Sequence, residues 1–363
     1  TINGDYDVDD VSVSVIIKSF FYAMQYDNVE VFLPHRDTDG YGLNKKNIQM
    51  LSDTGTNIII SCDCGISNKP EVELANELGI DVIITDHHSI PPELPPAYAI
   101  IHPKIEEESY PDKGLAGGAV AFKLVQGLLV EHKKNNEKLP NNEHHEAFEK
   151  WLIDMVALSS VADMVPLIGE SRTLTKYGLI VLNKARRIGM RKLLMEIGLM
   201  DNDGSLKREL DAHTIGFRIA PRINAAGRIN HANVGYKLFM ATSGADAIDY
   251  AFELEQNNKE RRTLTEQFVE QATVQVQDGQ LDAPILFVYS SEWLPGIVGL
   301  VASRIKDKFD KPTIAMTNSG DEIMGSGRSI AGFDMIKSLQ ELSDHFSKFG
   351  GHPMACGFTL KDG

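Results

Sequence analysis

Eight side chains able to bind a cation or move a proton fall at four places along the chain. Asp5, Asp7 and Asp9 alternate in GDYDVDD, just ahead of a helical run. Asp63 follows the apolar stretch NIIISC, and Asp86, His87 and His88 follow DVIIT. Asp163 closes an apolar helical pattern in ALSSVADMVPL. Any one aspartate taken alone would serve as a helix N-cap. Several strand ends all carrying Asp or His are not explained by capping. Clustered carboxylates repel one another and call for a compensating cation. Oxygen ligands mixed with imidazole suit Mn²⁺ or Mg²⁺ better than zinc held by thiolates. Two such ions about 4 Å apart clamp the attacking water and the leaving oxygen in phosphoryl hydrolysis. Asp63 is the candidate bridge between them.

The elements that must position these groups come next. Short apolar, β-branched runs at 31–33, 57–62 and 81–85 alternate with helical patterns at 10–24, 44–52 and 70–78. That alternation predicts βαβ units and a mostly parallel sheet. Ligands of such sheets bind beyond the carboxyl ends of the strands, where Asp63 and the Asp86–His88 run stand. Helical patterns dominate 117–241, interrupted by a polar loop at 132–143. A long polar helix is expected over 244–277, and a second strand-rich block follows, with strands at 284–289, 313–317 and 357–360 and a Gly-rich turn at GSGRS. The expected architecture is α/β: a catalytic domain over 1–243, a connecting helix over 244–279 and a smaller α/β domain over 280–363, with a cleft between the two domains.

At 363 residues the chain is long enough for two or three domains. Its hydrophobic share of 42% and charged share of 24% are those of a globular protein and exclude a disordered or fibrous chain. No apolar run reaches the roughly 20 residues of a membrane span. A net charge of −15 argues against passive wrapping of nucleic acid but leaves room for a local basic groove. Three cysteines, Cys62, Cys64 and Cys356, make no disulfide framework and point to a reducing, cytoplasmic setting. Cys62 and Cys64 are expected to be core residues. The opening on Thr1 inside a motif suggests that the natural N-terminus lies further upstream.

DYDVD, DCGIS, TDHHS and SVADMVPL, in that order, resemble the four motifs of the DHH phosphoesterase superfamily. PHRDTDGYGL, LAGGAVAFKL, RIAPRINAAGRI, WLPGIVGLVASRI, GSGRS and GGHPMACGF extend the resemblance to the RecJ group of single-strand-specific exonucleases. The resemblance implies a 5′→3′ exonuclease of repair and recombination that uses two Mn²⁺ or Mg²⁺ ions on single-stranded DNA. Single-strand-binding protein and a helicase would be further partners, and no membrane is involved. It implies a metal site of Asp7, Asp9, Asp63, His87 and Asp163, with Asp5 in or near the ligand shell. His88 would contact the scissile phosphate or orient the attack, and Asp86 would hold a histidine tautomer. Arg36, Ser326 and Arg328 would bind the 5′ phosphate, the last two on a Gly-flanked turn with exposed N–H groups. Asn224 and Arg228 would contact the strand backbone, and His352 would face the cleft. The alternatives are an oligoribonuclease or cyclic-dinucleotide phosphodiesterase of the same superfamily, and a non-enzymatic replication scaffold. Asn3 and Asp10 depart from the usual His and Gly, and Leu294 stands where a polar residue is common; a further oligonucleotide-binding domain often follows this core in RecJ-like proteins.

Overall fold

The computed structural model describes residues 1–36, 39 and 42–361. Asp37, Thr38, Gly40 and Tyr41 of the PHRDTDGYGL motif lie outside the described residues. The chain divides into two units, Thr1–Gln256 and Asn257–Gly363.

The first unit is built on a five-stranded parallel sheet in the order β2-β1-β3-β4-β5. Its strands are β1 (Ile2–Asn3), β2 (Val31–Phe32), β3 (Ile58–Cys62), β4 (Asp81–Thr85) and β5 (Ala99–Ile101). Helices α1 (Val8–Ala23), α2 (Lys45–Asp53) and α3 (Lys69–Glu77) connect them. The α3 helix has Pro70 in its first turn, where the missing N–H costs nothing. There follow α4 (Gly117–Lys133), α5 (His145–Ala162), α6 (Gly169–Leu182), α7 (Ile188–Glu196), the short α8 (Ala212–Thr214), a π-helical turn (Ile215–Ile219), α9 (Ala220–Ile229) and α10 (Asn233–Met240). One apolar core gathers α1, α4 and α5 through Val15, Ile16, Phe122, Val125, Leu152 and Met155. A second lies on the other sheet face, where Ile59, Val82 and Ile84 meet Ile48, Leu51 and Val72.

Helix α11 (Gly244–Gln277) begins in the first unit and ends in the second. Its apolar stripe comes in two pieces: Ala247, Ala251 and Leu254 are buried in the first unit, and Phe268, Ala272 and Val276 in the second. The division between units therefore falls inside the helix, whose two stretches each bury a face at helical spacing.

The second unit is a mixed five-stranded sheet in the order β6-β7-β8-β10-β9. It comprises β6 (Leu286–Tyr289), α12 (Pro295–Phe309), β7 (Thr313–Ser319), β8 (Glu322–Arg328), α13 (Met335–Glu341), β9 (Phe346–His352) and β10 (Ala355–Leu360). Gln275 and Gln280 use their side-chain amides to pair with the backbone of Tyr289 and Phe287, covering the outer edge of β6. The expected turn at GSGRS is instead strand β8, paired with β7 and β10 on both sides. Its glycines pack rather than turn: a Cβ on Gly325 would lie 2.2 Å from the Phe358 ring, and one on Gly327 2.6 Å from Cys356 Sγ.

Candidate metal centre and phosphate contacts

The chain leaves β1 through Gly4 and enters α1 with Asp7 as N-cap. Asp7 accepts from the N–H groups of Asp9, at 2.7 Å, and Asp10, at 3.2 Å. Asp10 answers as the reciprocal half of the capping box, accepting from Asp7 N at 3.5 Å and from Asp5 N at 2.9 Å. The unusual carboxylate at position 10 thus closes the turn that carries the motif. Asn3 is buried at the end of β1, its amide donating to Gly4 O.

Asp9 is buried, and its carboxylate meets the N-terminus of α4. Gly117 N donates to Oδ2 at 2.9 Å and Gly118 N to Oδ1 at 2.8 Å. The N-cap residue Ala116 gives no side-chain cap, so Asp9 takes that place from another element, with Ser159 Oγ accepting from Gly118 N at 3.0 Å beside it. A Cβ on Gly117 would stand 2.5 Å from Asp63 Oδ1, and one on Gly118 2.5 Å from Ser159 Oγ. The glycine pair is what lets helix, Asp9 and Asp63 approach.

Asp63 follows β3 in the left-handed region, φ 58°, where aspartate is one of the few tolerated side chains. Asp86 follows β4 and accepts from His87 N, His88 N and His88 Nδ1 through one oxygen, and from Ile66 N through the other. Burial pushes its carboxyl up, but the His88 hydrogen bond and charge outweigh that and hold it at about 2. As a fixed carboxylate it must accept from His88, so Nδ1 carries a proton and Nε2 is the nitrogen turned away from Asp86. Asp86 therefore orients His88 directly. The backbone of this pair is also held: His102 donates from Nε2 to His88 O at 3.1 Å, and Lys104 Nζ donates to His87 O.

Three overlapping groups emerge, with ligand atoms within 4.8 Å of one another in each: Asp63, His87 and His88; Asp9, His87 and Asp163; Asp7, Asp10 and Asp63. His87 Nε2 lies 3.1 Å from Asp63 Oδ1 and 3.6 Å from Asp163 Oδ2. The oxygen and imidazole set suits a hard divalent ion. Cys62 and Cys64 are buried free thiols outside all three groups. Asp5, expected among the ligands, is in none of them; its Oδ2 accepts Gly42 N–H at 2.9 Å instead. Helix α1 begins at Val8, so Asp9 lies in its first turn and Asp7 at its N-cap, while Asp5 stands ahead of it.

The cluster resists its own charge. Burial, then neighbouring Asp9 and Asp7, pushes the Asp63 carboxyl well above its ordinary range. Burial and Asp9 raise Asp163 to about 6, and burial raises Asp5 to about 8 against the Gly42 hydrogen bond. These are the conditions in which a bound cation is favoured. Groups raised from about 4 hold protons in the folded state that the unfolded chain has released, so stability falls as pH rises. The metal-free chain should lose melting temperature between pH 4 and 8, and Mn²⁺ should flatten the slope. The low-lying Asp86 acts in the opposite sense only below about pH 4. Thermal melts at pH 5, 6.5 and 8, with and without Mn²⁺, check this; a metal-free melting temperature that climbs over the range contradicts the repelling cluster.

The other expected contacts are placed as follows. Asn224 accepts from Val8 N at 3.0 Å, tying α9 to the start of α1. Arg228 is half-buried in the last turn of α9. Arg36 donates from Nε to Gly227 O at 3.1 Å. In the second unit, Ser326 and Arg328 share one face of β8. Arg328 Nη1 donates to Ser326 Oγ at 2.7 Å and Gly327 O at 2.8 Å. Ala355 pairs with Arg328 on one side and His352 on the other, which puts His352 in the same row of that sheet face. The β8 N–H groups lie in a paired strand rather than on an exposed turn, so they are not the anion-binding loop expected at GSGRS. What approaches Arg328 is α12: a Cβ on Gly299 would lie 2.8 Å from Nη2. Leu294 is the N-cap of that helix and gives it no side-chain cap.

Residues 1–158 match the DHH family, N-terminal domain, and residues 282–363 match the DHHA1 domain. Its first unit thus carries a DHH domain and its second a DHHA1 domain. The chain is 38% identical over 362 residues to the single-stranded-DNA-specific exonuclease RecJ of Bacillus subtilis, covering 99% of this chain and 43% of that protein. It is 34% identical to the protein of the same description in Escherichia coli, covering 99% of this chain and 63% of that one. The crystal structure of RecJ in complex with Mn²⁺ from Thermus thermophilus superposes with a TM-score of 0.82 at 28% identity, over 99% of this chain and 49% of that one. The chain thus spans about half of the length of these relatives. No described helix is long and apolar enough to cross a membrane.

Proposed function

We propose that this chain is the catalytic core of a single-strand-specific 5′→3′ DNA exonuclease that works with two Mn²⁺ or Mg²⁺ ions. The observation that carries the reading is the meeting of Asp9, Asp63, His87 and Asp163 beyond the carboxyl ends of β3 and β4 in overlapping ligand groups. Its DHH relatives of the same description support the substrate class. The ions would be held by Asp7, Asp9, Asp63, His87 and Asp163, and would supply a nucleophilic water at neutral pH and charge stabilisation at the phosphate. The chain's own groups do the rest. Asp86 engages Nδ1 of His88, so that Nε2 can take a proton from the attacking water when the ring is neutral, or donate to the scissile phosphate when it is protonated. The N-terminus of α4 holds Asp9 by both oxygens. Retention of every one of these residues favours an enzyme over a scaffold. Work on single strands in a reducing cytoplasm, beside a single-strand-binding protein and a helicase, belongs to this same proposal.

Arg328 supports the reading from the second unit. Burial lowers its pKa, and its described partners are a hydroxyl and a carbonyl rather than a carboxylate. A half-desolvated guanidinium in that state is suited to a phosphate. Arg328→Ala should weaken apparent affinity for 5′-phosphorylated single strands by 10- to 100-fold, following from a charge-assisted contact of about 1.5–3 kcal/mol. The loss should be much smaller for 5′-hydroxyl strands. Initial rates with Mn²⁺ on matched single-stranded oligonucleotides, a duplex and a dinucleotide test both points. Cleavage of the dinucleotide with none of the longer strands would contradict the exonuclease, and equal losses at both ends would contradict the role of Arg328.

A further inference from the structure

Asp5 and Tyr6 open the acidic motif, yet neither belongs to the ligand groups. Both face the loop between β2 and α2. Asp5 is fully buried and grips that loop at its far end through Gly42 N–H. The Tyr6 ring lies beneath the guanidinium of Arg36, at the near end, with Cζ 3.7 Å from the ring centroid. Arg36 is held in its plane as well, because Nε donates to Gly227 O. Gly227 in turn presses on the tyrosine's backbone: a Cβ there would stand 2.5 Å from Tyr6 O and 3.1 Å from Tyr6 Cβ. With one face stacked and Nε engaged, the Nη1 and Nη2 edge is the part of Arg36 presented to a ligand. That edge is one of the two that bind an oxyanion with two parallel hydrogen bonds, the other being engaged here through Nε.

We propose that Asp5 and Tyr6 are positioning residues for Arg36, which they and Gly227 hold ready for the terminal phosphate of a single strand. This rests on the proposed function for its ligand. It divides the motif's work: Asp7 and Asp9 serve the metal site, whereas Asp5 and Tyr6 serve substrate-end recognition. Asp5 acts through its hydrogen bond to Gly42, so an amide oxygen can replace its carboxylate. Tyr6 acts through its ring face, so phenylalanine can replace it.

Two readouts separate this from a structural or metal-ligand role. The first is Mn²⁺ affinity by calorimetry. Asp5→Ala should stay within about twofold of the parent chain, whereas Asp9→Ala should lose roughly a hundredfold. The second is the ratio of affinities for matched 5′-phosphate and 5′-hydroxyl oligothymidylates, measured by fluorescence anisotropy with Ca²⁺ in place of Mn²⁺. That ratio should fall about tenfold in Asp5→Ala and Tyr6→Leu and be kept in Asp5→Asn and Tyr6→Phe. The Asn and Phe variants also keep the test valid if an alanine or leucine variant fails to fold. Loss of Mn²⁺ in Asp5→Ala to the extent seen in Asp9→Ala would overturn the inference. So would a Tyr6→Leu effect equal at both ends, or a parent chain that binds both ends alike. A parent chain that prefers the phosphorylated end yet hydrolyses no strand would overturn the proposed reaction and support this inference.

Discussion

Asp63→Asn is expected to lower hydrolysis by at least about a thousandfold while raising the melting temperature of the metal-free chain. Asp63 is common to two of the three ligand groups, the one with His87 and His88 and the one with Asp7 and Asp10. The change removes the anionic carboxylate that both groups share, and three decades correspond to about 4 kcal/mol of barrier. The stability gain has a separate cause. Burial and then Asp9, Asp7, Asp86 and Asp163 disfavour the ionised carboxyl, so its charge opposes folding at neutral pH. Asparagine removes that charge and still accepts the backbone at φ 58°, where alanine would add strain of about 1–2 kcal/mol. The increase in melting temperature that Mn²⁺ confers should shrink with the lost affinity. Single-turnover rates and thermal melts with and without Mn²⁺ measure all three effects. A rate within tenfold of the parent, or an unchanged Mn²⁺ increment, would show that Asp63 is no shared ligand.

The groups that make this site were legible where chemistry and strand pattern coincide. The apolar runs before Asp63 and Asp86 are β3 and β4, and a parallel sheet puts their carboxyl ends side by side. Beyond them the sequence was less explicit. Strands β1 and β5 are two and three residues long, too short for any period to register. Asp5, Asp7 and Asp9 look alike in sequence, but capping of α1 at Asp7 sends Asp5 to the Gly42 loop and brings Asp10 beside Asp7. In GSGRS, glycines suggested a turn, although the alternation of small and larger residues is equally that of a strand. The structure uses the absent Cβ atoms to seat Phe358 and Cys356. The glycines of LAGGAVAFKL carried no chemical signal at all, because what they supply is room and two N–H groups.

That room leads to the second large effect. Gly117→Ala should cut hydrolysis by about a hundredfold and weaken Mn²⁺ binding, although position 117 bears no ligand. Its backbone, in the first turn of α4, accepts alanine without strain, and alanine is the better helix former. The obstacle is Asp63: the new Cβ would lie 2.5 Å from Oδ1, 2.7 Å from Cγ and 2.9 Å from Cβ. Either the Asp63 carboxylate swings aside or α4 retreats. Swinging aside misplaces the ligand shared by two groups. Retreat lengthens the bonds from Gly117 N and Gly118 N that hold Asp9. Both routes displace a carboxylate by a large part of an ångström, and misplacement on the scale of 1 Å costs about a hundredfold. Gly127→Ala is the matched control, since it lies in the same helix with nothing within 4 Å of its added Cβ. It should stabilise the chain by about 0.5–1 kcal/mol and leave both rate and Mn²⁺ affinity unchanged. If the two variants behave alike, α4 does not hold the metal ligands in place; if only Gly117→Ala fails, close approach of this helix to Asp63 and Asp9 is a condition of catalysis.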